Sequence, residues 1–151
     1  MPAARRIEQR NWDAPDRAEW VHTLDAALET SDTDVILVAH SLGCALVVWW
    51  AATCSASAHA VRVKGALLVA PPDVERADFP IEATGFAPMP QMPLPFPGKV
   101  IASTNDPWCD PARSQQWAAA WHAEFHSIGP KGHLNAATGL AEWPEGQQFL
   151  H

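Results

Sequence analysis

No stretch of this chain is apolar over the eighteen or more residues that a membrane-spanning helix needs, so no transmembrane segment and no membrane partner are expected. The opening Met-Pro-Ala-Ala-Arg-Arg has charge but no apolar segment behind it, so no secretory signal is expected either, and the expected location is the cytoplasm. Positive charge is scarce, with ten Lys and Arg against seventeen Asp and Glu, a formal charge of −7. The basic residues are scattered apart from the pair Arg5 and Arg6, which excludes nucleic acid as the expected partner. Only three cysteines occur, Cys44, Cys54 and Cys109. Their odd number and unpaired spacing argue against a disulfide framework or metal site, and they read as small hydrophobes in a reducing compartment. Tyrosine is absent beside eight tryptophans, a bias with no evident physical cause.

What is present fits one globular domain over residues 1–151: 48% of residues are apolar, 18% are charged, and the length suffices for one core but not for two ordinary domains. Short β-like runs alternate with helical patterns from end to end. This alternation predicts an α/β fold with a parallel sheet of about five strands, flanked by helices. The strands are expected at Arg6–Gln9, Val35–Val38, Val63–Val69, Val100–Ser103 and Glu124–Ile128. The continuous apolar run Val35-Ile-Leu-Val38 predicts a central strand covered on both faces. Asp13, with Pro15 in the first turn, is expected to cap a helix whose apolar stripe is Trp20, Val21, Leu24 and Leu28. A buried helix is expected over Leu42–Ala52, another after Asp110-Pro111 through Trp117 and Trp121, and a last short one from Trp143-Pro144. Between the third and fourth strands lies a long insert, Pro71–Pro97, with eight of the fourteen prolines. Loops of this length usually have a task.

The sharpest local signal is Val35-Ile-Leu-Val-Ala39-His40-Ser41-Leu42-Gly43, a small-x-Ser-x-small pattern where an apolar strand passes directly into an apolar helix. Such a turn holds its serine in a strained backbone, pushes the hydroxyl out of the sheet edge, and leaves the Leu42 N–H at a helix N-terminus as an oxyanion donor. The plain alternative is that Ser41 only caps the following helix. The order of the polar residues C-terminal to Ser41 favours chemistry, because Asp106 lies just past the Val100–Ser103 strand and His133 just past the last one, giving the order Ser, acid, His. Asp110 competes for the acid role, but Asp110-Pro111 has the form of a helix cap. Asp106 could otherwise be a turn residue in Asn-Asp-Pro. His133, between loop residues with no apolar face, reads as the general base. His40 is expected to pack beside the site. Met89, Met92 and Trp108 are candidates for the wall of an acyl pocket, against the alternative that the insert packs on itself. His22, His59 and His151 carry no expected chemistry, and His122 and His126 fall on a strand rather than on a zinc-binding helix, so no metal or other cofactor is expected.

With those residues in place the chain resembles the small single-domain serine hydrolases related to retinoblastoma-binding protein nine and its bacterial relatives. The likeness rests on Asn11-Trp12-Asp13, Trp20, Ala39-His-Ser-Leu-Gly43, Ala70-Pro71-Pro72-Asp73, Ser103-Thr-Asn-Asp106-Pro, Gly132-His133-Leu-Asn135, Gly139-Leu140 and Trp143-Pro144. The resemblance implies an α/β-hydrolase fold, triad roles for Ser41, Asp106 and His133, and hydrolysis of small acyl esters. It also implies one more N-terminal strand and a Gly-rich loop with a second oxyanion donor ahead of Arg5. Nothing precedes Met1 here, so the expectation is an N-terminally shortened chain rather than an intact short enzyme. Loss of one such donor typically costs ~10²–10³ in turnover. Two functions are therefore open: a serine hydrolase with a small acyl-ester substrate, or a catalytically impaired relative that binds a protein or ligand through the same pocket.

Overall fold

A computed structural model of the chain describes residues 4–134. Asn11 Oδ1 accepts from the N–H groups of Asp13 and Ala14, which ties residues 11–14 into a turn. Helix α1, Arg17–Glu29, therefore starts later than expected: its N-cap is Asp16, whose carboxylate accepts from Glu19 N at 3.0 Å, and Asp13 does not cap it. The segment Arg6–Gln9 is not a strand. Its charged residues Arg6 and Glu8 pair with each other at 3.5 Å in solvent, and Gln9 turns inward to donate to the Trp20 carbonyl, so no ladder forms.

Four parallel strands come next in the chain, β1 Val35–His40, β2 Val63–Val69, β3 Gly98–Ala102 and β4 Glu124–Ser127, paired in chain order. Among the described residues the sheet thus has four strands rather than about five. The strand β1 lies at its edge rather than at its centre, with Ile36 48% and Val38 62% exposed. Helix α2, Leu42–Cys54, leaves the end of β1 and packs on β1 and α1, while α3, Pro111–Ala120, packs on β3 and β4. Alternation along the strands turns Leu37, Ala66, Leu68 and Val100 toward these helices, where Trp20, Leu24, Val48 and Trp50 complete the core. No helix among the described residues is long and apolar enough to cross a membrane.

The insert between β2 and β3 contains no helix or regular strand. It does not pack only on itself: Phe86, Met89 and Phe96 are buried in the main core, and the Trp49 and Trp121 indoles donate to its carbonyls at Phe86 and Pro90, both at 2.8 Å. The expected helix from Trp143-Pro144 lies outside the described residues.

Candidate active site

The loops after β1, β3 and β4 leave the sheet at the C-terminal ends of its strands and meet there, the end at which parallel α/β sheets hold ligands. Ser41 joins β1 to α2 with φ 56° and ψ −125°, a conformation that a residue with a side chain adopts only under strain. Its N–H donates to Val69 O at 2.9 Å, and its carbonyl accepts from Cys44 N at 2.8 Å, so the bend is held from both the sheet and the helix. Although Ser41 occupies the N-cap position of α2, its side chain makes no capping bond. The hydroxyl is directed elsewhere: Oγ lies 2.7 Å from His133 Nε2.

On the other edge of the imidazole, His133 Nδ1 lies 2.9 Å from both carboxylate oxygens of Asp106. An ionised carboxylate only accepts, so Nδ1 carries the proton and Nε2 is left to accept from the Ser41 hydroxyl. Asp106 is buried and its Oδ1 also accepts from Trp108 N at 2.9 Å, which fixes the carboxylate in its loop. Asp110, the competing acid, is exposed at the N-cap of α3 and has no described bond to His133.

The His133 loop is tied down on both sides. Ser103 Oγ accepts from Lys131 N at 2.9 Å, Asn105 Oδ1 accepts from Gly132 N at 2.8 Å, and Ser103 Oγ–H donates to Asn105 Oδ1 at 2.9 Å. From the other direction His40 Nε2–H donates to the His133 carbonyl at 2.9 Å, with the two rings 5.1 Å apart. The sequence pattern gives Ser103 and Asn105 no role beyond a turn. The hydroxyl and amide beside a candidate acid, immediately after a strand's last apolar pair, were the available signal.

A cavity of about 330 Å³ opens beside Ser41 and Leu42, walled by Trp12, Phe79, Pro80 and Trp108. Phe79 and Trp108 meet edge to face at 6.4 Å. Trp108 is among the residues lining this cavity, whereas Met89 and Met92 are not: Met89 is drawn into the core against the larger helix-facing cluster, and Met92 stands 52% exposed. His40 is also absent from the lining, because its ring is engaged behind His133. Trp12 and the insert residue Phe79 supply the apolar wall instead. Leu42 opens α2, so its N–H has no partner within the helix and sits where the helix dipole favours negative charge. A second cavity of similar volume lies at the opposite end of the sheet, around Gly65, Gly98, His122 and Glu124, and has no serine or cysteine among its described lining residues.

Burial raises the Cys44 thiol far above its ordinary range, and it raises the Cys109 thiol to about 11, so neither is a nucleophile at neutral pH. No group of three or more His, Cys, Asp or Glu side chains among the described residues is arranged to hold a metal ion.

The profile of a protein family described as serine hydrolase matches residues 1–151. The chain belongs to the serine hydrolase family. Among solved structures, this serine hydrolase family member is similar to a YdeN-like hydrolase from Pectobacterium atrosepticum, with 30% identity, a TM-score of 0.79, and coverage of 95% of this chain and 72% of that one. It is similar in fold to the ydeN gene product of B. subtilis, at 20% identity and a TM-score of 0.71 over 95% of this chain and 78% of that one. A further fold likeness is to MGS-MChE2, an α/β-hydrolase enzyme from the metagenome of lagoon sediments at Mar Chica, at 15% identity and a TM-score of 0.66, covering 90% of this chain and 68% of that one. No curated protein sequence matches the chain. The four-stranded parallel sheet flanked by helices is thus an α/β-hydrolase fold with a shortened sheet among the described residues.

Proposed function

We propose that this serine hydrolase family member cleaves small acyl esters through an acyl-enzyme, with Ser41 as nucleophile, His133 as general base and acid, and Asp106 as the group that orients the imidazole. The observation that carries this reading is the continuous contact from Ser41 Oγ to His133 Nε2 at 2.7 Å and from His133 Nδ1 to Asp106 at 2.9 Å, beside a cavity lined by the same serine. In the first step Ser41 Oγ attacks the acyl carbon while its proton passes to His133 Nε2, and Asp106 stabilises the resulting imidazolium. The oxygen that becomes anionic faces the Leu42 N–H at the start of α2. The His133 proton then goes to the departing alkoxide, and water, deprotonated by the same imidazole, releases the acid. The limited volume of the cavity and its aromatic and proline walls support a short acyl ester rather than a long chain. All three cysteines are free, which supports a reducing, cytoplasmic location.

Fluorophosphonate labelling of the purified chain tests the reading. Labelling of the wild type that is lost in Ser41→Ala, together with turnover of a nitrophenyl acetate, is the expected result. A folded wild type that labels no more than Ser41→Ala overturns it, and ligand binding without turnover leaves the non-catalytic binding reading in its place.

A further inference from the structure

The chemistry of the cavity wall has a sign. Besides Ser41 and the aromatic residues, the lining includes two carboxylates, Asp13 and Glu82, and, among the described residues, no Lys, Arg or His. Neither carboxylate has a side-chain hydrogen bond or ion pair among the described residues, and both residues are exposed.

The guanidinium groups of Arg6, Arg10, Arg17 and Arg76 on neighbouring segments each have another partner, Arg10 lying 3.9 Å from Glu19. Arg6, 5.3 Å from the Trp12 ring centroid, pairs with Glu8 at 3.5 Å; Arg76 pairs with Asp78 at 2.7 Å and donates to the Pro107 carbonyl. Arg17 is held on the Trp49 ring at 4.4 Å and donates to Gly85 O at 2.9 Å. An anionic substrate entering this cavity meets two carboxylates and no basic side chain among the described lining residues. A cationic one meets two carboxylates and the aromatic side chains of Phe79 and Trp108, groups that attract ammonium ions, while the Trp12 ring already carries the Arg6 guanidinium. The overall charge of −7 acts in the same direction by steering cations toward the molecule.

Resting on the serine-hydrolase reading of Ser41, we infer that the site selects acyl esters carrying a positive charge, with Asp13 and Glu82 setting that selectivity. The test is a matched series of thioacetates hydrolysed by the full chain: acetylthiocholine, its neutral carbon isostere S-(3,3-dimethylbutyl) thioacetate, and the anionic S-acetyl-3-mercaptopropionate. At low ionic strength kcat/KM is expected to favour the cationic ester over the anionic one by about tenfold or more. Because the carboxylates are exposed, the preference should shrink when salt rises from about 20 mM to about 500 mM. In the double variant Asp13→Asn, Glu82→Gln the ratio of cationic to neutral turnover should fall toward one; a ratio is read because it is insensitive to any loss of folded protein. Equal turnover of the three esters, or a ratio unmoved by the double variant, overturns the inference and leaves the serine hydrolase standing. If none of the three is hydrolysed, the inference fails, and fluorophosphonate labelling tells how far the failure extends. A labelled Ser41 loses only the substrate assignment, whereas an unlabelled one loses the hydrolase reading as well.

Discussion

Asn105 and Gly132 lie on different loops, yet the Asn105 side-chain oxygen accepts the Gly132 N–H at 2.8 Å, one residue before His133. The loop carrying the candidate acid therefore also sets the backbone position of the candidate base. Without this bond and the parallel one from Lys131 N to Ser103 Oγ, the backbone of the His133 loop keeps only the hold of His40 on the His133 carbonyl, and the imidazole is less firmly placed against Ser41.

A displacement of about 1 Å at a reacting group can cost up to about 10²-fold in rate. Asn105→Ala is accordingly expected to lower kcat on a nitrophenyl ester by roughly 10–10²-fold. KM should change little, because Asn105 does not line the cavity. Asn105→Asp keeps an accepting oxygen and should recover part of the loss. An unchanged kcat in a folded Asn105→Ala would show that the loop holds its place without this bond.

The two aspartates that compete in the sequence separate by burial and contact. Asp106 is buried and reaches His133 Nδ1, while Asp110 is exposed at the start of α3 and makes no side-chain capping bond. Asp106→Asn, which leaves shape but favours the wrong imidazole tautomer, should reduce kcat by about 10⁴-fold. Asp110→Asn should remain within a few-fold of wild type. The pair of kcat values, measured on one ester, decides between them, and the reverse ranking would reassign the acid.

The elbow was legible because an apolar strand, a serine between small residues and an apolar helix leave few other ways to fold. The start of α1 was legible in principle: Asp16-Arg-Ala-Glu19 has the spacing of a capping box, a stronger signal than Asp13 with Pro15. The place of β1 was not, because Val35-Ile-Leu-Val38 reads alike whether its outer face is covered or left open. Nor does an apolar residue in a proline-rich insert declare its destination. Phe79 faces the cavity while Phe86 and Met89, a few residues on, enter the core. Contacts such as that of His59 with Asp25, far apart in sequence, arise only from the packing of α1 against the short helix Ala58–Arg62.

That contact predicts a pH dependence of stability. Burial pushes the Asp25 carboxyl up, but hydrogen bonds from His59 at 2.7 Å and Trp50 Nε1 at 2.9 Å, with the His59 and His22 charges, outweigh it and hold the group below its usual value. A carboxyl lowered in the folded state binds its proton more readily when unfolded. Its stabilisation is therefore full above the ordinary aspartate range, about pH 4, and is lost as pH falls through the lowered value. Between about pH 6 and about pH 3 the urea midpoint of the wild type should fall more steeply than that of Asp25→Asn. Parallel curves would mean that Asp25 contributes nothing to the acid limb.

The strained backbone of Ser41 separates stability from activity. At φ 56° and ψ −125° any residue with a Cβ bears a cost of order 1–3 kcal/mol, which glycine avoids. Ser41→Ala removes the hydroxyl and its bond to His133 but keeps the strain, whereas Ser41→Gly removes both. Glycine gives back roughly 0.5–1 kcal/mol through the greater freedom of the unfolded chain. The net difference should leave Ser41→Gly more stable than Ser41→Ala by about 1 kcal/mol, or ~2–4 °C in Tm for a chain of this size. Neither variant should label with a fluorophosphonate. Thermal unfolding of the two inactive proteins side by side reads the stored strain directly. If alanine at position 41 proves as stable as glycine, the bend is relaxed by its surroundings, and the serine sits there at no cost to the fold.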